Sequence, residues 1–240
     1  MTTEGIDPLL PPLFSGVSVE GSIDPFNKAM SLAALGCDAG TLVHNVSVDR
    51  LRAAVVFGPE VPLEDAMAML PACGVGFANA LGALAPPEVA VHLEWTGPIR
   101  VNGALCGRLR ASASTSDPGS VPNWLVIGLD VPFIMDSEAP GLSPDRTVLY
   151  QEGCGDIDPV SLLESWSRHT LVWVNRWFED GNRPLHAEWR TLVHGMGEDV
   201  TLTVDGETVS GTFLGTDERF GLLLRQNGET RLLPLSGLLQ

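Results

Sequence analysis

The chain has 240 residues, 44% of them hydrophobic and 18% charged, a composition that supplies a sizeable core and excludes disorder. Thirty acidic residues against 14 basic give a formal net charge of −16, with the arginines scattered singly or in pairs, so nucleic acid and anionic membrane are disfavoured as partners. Lys28 is the single lysine.

The first residues, Met1 to Pro12, are acidic and proline-rich, with no basic segment leading into an apolar run. No apolar stretch is expected to reach the roughly 18 residues that span a bilayer. Cys37, Cys73, Cys106 and Cys154 stand far apart without CxxC spacing. The expectation is a cytoplasmic protein with free, buried thiols and no structural zinc.

Residues 1–21 read as an irregular arm. Asp24-Pro25 then opens a helix, Asp as N-cap and Pro at the first position, with Phe26, Met30, Ala33 and Ala34 on one face and Gly36 as the stop. Thr41 to Val43 and Leu51 to Phe57 are strands, the second buried on both faces from Ala53 onward. Met67, Leu70, Phe77, Leu81 and Leu84 give Leu63 to Leu84 helical spacing, which Pro71 kinks or interrupts. Strands follow at Val89 to Leu93, Ile99 to Val101 and Leu105 to Ala111, the last two joined by Asn102-Gly103, a two-residue hairpin signal. Trp124 to Val131 is a further buried strand, and 132–150, rich in Pro, Asp and Ser, is a long loop. Asp158-Pro159 opens a helix to about Phe178 with Leu162, Leu163, Trp166, Leu171, Val174 and Trp177 on its apolar face. From Val200 the pattern changes to short strands separated by Asp205-Gly206 and Asn227-Gly228, the meander of a small SH3-like barrel. A boundary near His194-Gly195 divides the chain into residues 1–194 and 195–240.

The order of these pieces resembles the catalytic core of the biotin–protein ligase and lipoate ligase superfamily, followed by its small C-terminal barrel. His92-Leu93-Glu94-Trp95-Thr96-Gly97-Pro98, then Val101-Asn102-Gly103 and Cys106-Gly107-Arg108-Leu109, looks like the family's Lys-Trp-Pro-Asn-Asp strand, hairpin and return strand. Val126-Ile127-Gly128-Leu129-Asp130-Val131 resembles its Gly-Ile-Asn-Val strand. The resemblance covers about Asp24 to Leu239. It implies an α+β fold, a class II synthetase-like mixed sheet with flanking helices, and a carboxylate-activating chemistry that forms an acyl-adenylate from ATP and passes the acyl group to a carrier-protein lysine.

Joining two anions requires preorganised positive charge and backbone donors. The family supplies them from a glycine- and arginine-rich loop and from the lysine before the signature tryptophan. Here no glycine occurs between Gly40 and Gly58, and His44-Asn45-Val46-Ser47-Val48-Asp49 leads directly into the next strand. Arg50 and Arg52 alternate with Leu51 and are expected on the solvent face of that strand. Glu94 stands where the lysine belongs, and Thr96-Gly97-Pro98 replaces Pro-Asn-Asp. Loss of one such donor costs on the order of 2.7–4 kcal/mol of transition-state stabilisation, and a reversed charge costs more. Lys28, on the first helix, reads as a solvated residue.

The residues expected around the inherited pocket are His44, Glu94, Trp95, Arg100, Asn102, Gly107, Arg108 and Asp130, with His92 and Arg110 nearby. If Glu94 and an arginine face the pocket together, a cationic or amide-bearing ligand follows; the alternative is a structural ion pair at a strand edge. Cys154, in Glu152-Gly153-Cys154-Gly155, resembles the cysteine context of the superfamily's octanoyltransferases, but a nucleophilic thiol needs a base or cation and the lysine partner is missing. Cys106 reads as a small core residue. Glu94 and Cys154 are thus the catalytic candidates. ATP with biotin or lipoate is implied as cofactor only if the ancestral activity survives. The implied partners are a small molecule or an acyl-carrier domain, and a second copy of the chain through a sheet edge.

Overall fold

In the computed structural model, residues 7–135 and 145–240 are described. The first sheet has seven strands: β1 (Ser15–Ser18), β2 (Thr41–Val46), β3 (Arg50–Phe57), β4 (Val91–Leu93), β5 (Pro98–Val101), β6 (Ala104–Ala113) and β7 (Leu125–Pro132). Their spatial order is β1-β2-β3-β7-β6-β5-β4. The pairings are antiparallel except β1 with β2, which makes the sheet mixed. β1 corrects the expectation of an irregular arm over 1–21. Four residues with one half-buried side chain carry no alternation to read, and the strand exists through its ladder to β2.

Helix α1 (Pro25–Ala34) covers one face of this sheet. Asp24 caps it, its carboxylate accepting the Phe26 N–H at 3.0 Å, a device worth about 1 kcal/mol. Phe26, Ala29 and Ala33 pack on Val43, Ala54, Val56 and Val126. The other face is covered by α2 (Leu63–Ala66), α3 (Met69–Leu84), α4 (Pro159–Asp180) and α5 (Asn182–Leu192). The expected Leu63–Leu84 helix is therefore two. Pro71 lies in the first turn of α3, where its missing N–H costs nothing, and the chain breaks at Met67-Ala68. By length and composition alone Leu63–Leu84 could cross a membrane, contrary to the expectation from sequence; here it is mostly buried in the protein core. Indole N–H groups fix α4 to α3, Trp166 donating to the Cys73 carbonyl at 3.0 Å and Trp173 to Asn79 Oδ1 at 2.7 Å.

Helix α5 has no counterpart in the sequence reading. It starts immediately after Gly181, which ends α4 at a positive φ of 71°, and its burial rests on just Leu185 and Trp189, one turn apart. Of the loop expected over 132–150, residues 136–144 lie outside the described residues. Arg146 bridges in parallel to Leu105, and a 3-10 turn occupies Leu149–Glu152.

The second sheet is an antiparallel meander of β8 (Asp199–Val204), β9 (Glu207–Thr216), β10 (Leu222–Gln226) and β11 (Glu229–Leu233), as in an SH3-like barrel. Its two tight turns, Asp205-Gly206 and Asn227-Gly228, hold both central residues at positive φ, as type I′ hairpins demand. Phe213, Phe220, Leu222, Leu224 and Leu233 join the main core.

Candidate functional site

Two recesses flank the β5–β6 hairpin, and they differ in size and content. The hairpin turns at Asn102 (φ 50°) and Gly103 (φ 90°), the type I′ geometry that Asn-Gly favours. Asn102 fastens the tip: its Oδ1 accepts the Ala90 N–H at 2.9 Å, and its Nδ2 donates to Glu152 at 2.8 Å. Ile99 faces Gly107 and Arg100 faces Leu105, so Cys106 is the extra residue of a β-bulge.

The first recess lies at the turn between β4 and β5. Glu94 and Trp95 line it with Leu93, Gly97, Leu109, Trp189 and Phe220, around a void of only about 20 Å³. That is little more than one water molecule needs. Trp95 is 4% exposed and donates its indole N–H to the Phe220 carbonyl at 2.7 Å. Phe220 in turn meets Trp189 edge-on, with centroids 6.0 Å apart. Glu94 turns away to accept from Arg100 Nε at 2.6 Å, and the same guanidinium reaches the Gly103 carbonyl at 2.7 Å. Glu94 thus makes an ion pair along the strand edge.

The second recess opens beside Gly107 and has a volume of about 540 Å³. Its polar lining is Arg50, Arg108, Arg146, Asp130 and Thr147; its apolar lining includes Leu105, Cys106, Pro132, Ile134 and Met135. Gly107 has no room for a side chain, since a Cβ there would sit 2.7 Å from the Asp130 carbonyl oxygen. Asp130 is buried, 6% exposed, and accepts two hydrogen bonds from Arg50, at 2.7 Å from Nε and 3.0 Å from Nη2. Arg108 stands 3.8 Å from the same carboxylate.

The structure therefore divides the residues singled out from sequence. Gly107, Arg108 and Asp130 come together at the large cavity; Glu94 and Trp95 belong to the closed recess. Arg100 and Asn102 are committed to the hairpin. His44 is buried in β2 against β1, away from the cavity lining, and burial pushes its pKa down. His92 faces Arg100 across β4–β5 and meets His194 edge-on at 6.2 Å. Arg110 pairs with Asp24 at 3.0 Å and lies over the Phe26 ring.

The cysteines show no activation. Cys154 is 1% exposed, and burial followed by the nearby Glu152 charge pushes its thiol pKa up. Cys106 lines the cavity, but burial, Glu152 and Cys154 raise it to about 12. Both thiols are protonated at neutral pH, the reverse of what a nucleophile requires.

Arg50 corrects the sequence reading. It was expected on the solvent face of its strand, yet it turns onto Asp130 and lines the cavity. Arg146, Ile134 and Met135 were not anticipated at all. For Arg50 the alternation with Leu51 pointed to solvent, and no sequence signal put its strand beside the Asp130 strand. For Arg146 none existed, because a loop residue is placed by its bridge to Leu105 and not by local pattern.

The connection that would cradle a triphosphate is short. β2 and β3 are joined by Ser47-Val48-Asp49, closed by reciprocal backbone hydrogen bonds between Ser47 and Arg50 at 3.0 and 3.3 Å. The resulting turn is tight and contains no glycine.

A family model described as the biotin/lipoate A/B protein ligase family matches residues 10–191. The chain belongs to that family. A second model, described as a domain of unknown function, matches residues 196–240. Among solved structures the chain is similar to a biotin protein ligase-like protein of unknown function from Silicibacter sp. TM1040, at 55% identity and a TM-score of 0.90, over 98% of this chain and 100% of that one. It also resembles the biotin protein ligase of Aquifex aeolicus, at 16% identity and a TM-score of 0.73, over 92% of this chain and 95% of that one. For the biotin protein ligase of Leishmania major in complex with biotinyl-5-AMP the identity is 15% and the TM-score 0.54, over 93% and 99% of the two chains. The two likenesses at low identity bear on fold alone. A search of curated proteins finds no match. Within the biotin/lipoate ligase family, then, this member has Glu94 already paired with Arg100.

Proposed function

We propose that this member of the biotin/lipoate ligase family binds a small molecule in the arginine-lined cavity and has lost acyl-adenylate formation. The observation that carries this reading is Glu94, which stands where the resemblance implies a lysine and is held 2.6 Å from Arg100 in a recess too small for a substrate. The three-residue β2–β3 turn supports it, because backbone donors for a triphosphate need a longer, glycine-bearing loop. The large cavity supports the binding half of the reading: its volume falls within the range of about 300–1,000 Å³ typical of small-molecule sites, and it combines an apolar wall with a few convergent polar groups.

An acyl-carrier domain is the alternative occupant, and a cytoplasmic homodimer joined at a sheet edge is the assembly we favour. Isothermal titration calorimetry with biotin, lipoate and ATP, coupled to a pyrophosphate-exchange assay, tests the central claim. The expected result is no exchange with either acid; ATP binding together with turnover to an adenylate would sink the proposal.

A further inference from the structure

The cavity carries more positive charge than its own carboxylate absorbs. Arg50, Arg108 and Arg146 line it against Asp130 alone, so the described lining has a formal charge of +2 in a chain of net charge −16. The two Arg50 bonds take up the Asp130 carboxylate. Arg108 reaches it only at 3.8 Å, with a side chain 55% exposed. Arg146 bridges through its backbone, and its guanidinium has no hydrogen bond or ion pair among the described residues.

Among the described residues the other nearby acids lie off this lining. Glu152 gives one carboxylate oxygen to Asn102 and the other to the Thr147 hydroxyl. Asp49 is engaged by Ser47 and lies off the cavity lining, and Asp145 contributes its carbonyl to the Leu105 N–H.

We infer that the cavity is a seat for a dianionic small molecule, a dicarboxylate or a phosphate monoester, gripped by Arg108 and Arg146. The inference rests on the reading of this cavity as the binding site, and it names the ligand's charge. Planar guanidinium forks match carboxylate and phosphate oxygens two at a time. A monoanion satisfies one of the two uncommitted arginines and leaves the other facing an apolar wall of Leu105, Ile134 and Met135. Asp130 has a positioning role: it holds Arg50 back and sets the surplus at two charges instead of three. The volume exceeds what a bare phosphate fills, so the organic part of the ligand lies along that wall.

The test is calorimetry on the full chain at fixed ionic strength with two matched pairs of probes, octanoate with suberate and benzoate with phenyl phosphate. At least one dianion is expected to bind about tenfold tighter than its monoanionic partner, the loss of one charged hydrogen-bonding group being worth that much. Suberate prevailing identifies a dicarboxylate site, and phenyl phosphate prevailing a phosphate monoester site. Arg108→Gln and Arg146→Gln should each weaken that dianion about tenfold, whereas Arg225→Gln, on the far sheet, should not change it. Equal affinity within both pairs overturns the charge assignment and leaves the small-molecule reading intact. No binding by either dianion, or binding indifferent to both arginine substitutions, also overturns it. The pyrophosphate-exchange result stands apart from all of these outcomes.

Discussion

The turn at Glu94-Trp95 and the cavity beside Gly107 are built on the same hairpin, yet one is filled with protein and the other is open. In the turn the Glu94 carboxylate and the Trp95 indole both have protein partners, Arg100 and the Phe220 carbonyl. In the cavity the guanidiniums outnumber the carboxylate three to one. The part of the chain that resembles the family's signature is a joint between the two sheets. The return strand and the Asp130 strand, which also resemble the family, keep the exposed charge and free volume that binding requires. Resemblance located the ancestry, and satisfaction of polar groups locates where chemistry can still occur.

The largest expected effect is on the closed side. Trp95→Ala removes a buried indole from between Leu93, Leu109, Trp189 and Phe220 and strands the Phe220 carbonyl. A loss of about 3–5 kcal/mol is expected from the cavity alone, read as a lower urea midpoint. A shift below about 1 kcal/mol would mean that the turn is not the joint described.

Next comes the open side. Asp130→Asn keeps the shape but removes the carboxylate charge that Arg50 and Arg108 share. Both arginines are partly exposed, so water absorbs some of the cost, and about 1–3 kcal/mol is expected. The same variant should bind phenyl phosphate or suberate tighter, because the lining rises from +2 to +3. Weaker binding would show that Asp130 touches the ligand directly.

Glu94→Lys supplies the lysine that the resemblance implies at this position and so tests whether the turn is merely mis-set. Its new ammonium would meet Arg100 in place of a carboxylate, where both partners are largely covered, with side chains 24% and 20% exposed. About 1–2 kcal/mol of stability should be lost, and pyrophosphate exchange should stay absent because the β2–β3 turn still lacks its glycine loop. Any exchange in this variant would show that residue 94 alone withholds the activity and that the β2–β3 turn does not.

Much of this fold was legible because its signals are local and independent of partner. The Asp24-Pro25 cap, the Asn102-Gly103 turn and the two Gly turns of the second sheet all follow from backbone preference. β1 and α5 were not legible, the first because pairing with β2 is its whole support, the second because two buried residues make too short a period. The site divided along the same line. Gly107, Arg108 and Asp130 stand on two stretches that the resemblance singled out, and those strands pair. Arg50 depended on a side-chain rotamer, and Arg146 on a loop contact 41 positions along the chain from Leu105.

The smallest expected effect is a pH dependence that also separates the two regions. His186 lies beside the closed joint, its ring 5.3 Å from Phe220 and its Nε2 2.9 Å from the Thr216 hydroxyl. Burial first, and then Arg190, hold its pKa below the ordinary 6.5. Burial lowers His44 likewise, and burial and then Arg168 lower His169. A depressed folded-state value means that the unfolded chain takes up protons first. These groups therefore contribute full stability above about pH 6.5, and the contribution is lost as pH falls through their folded values. The urea midpoint should be level between about pH 7 and 8 and should decline from about pH 6.5 toward 5. His186→Asn should flatten part of that decline. The cavity lining contains no histidine among the described residues, so suberate affinity, corrected for folded protein and for the ligand's own titration, should not follow the same curve. If affinity and stability fall together with one midpoint, the joint and the cavity are coupled and the separation drawn between them does not hold.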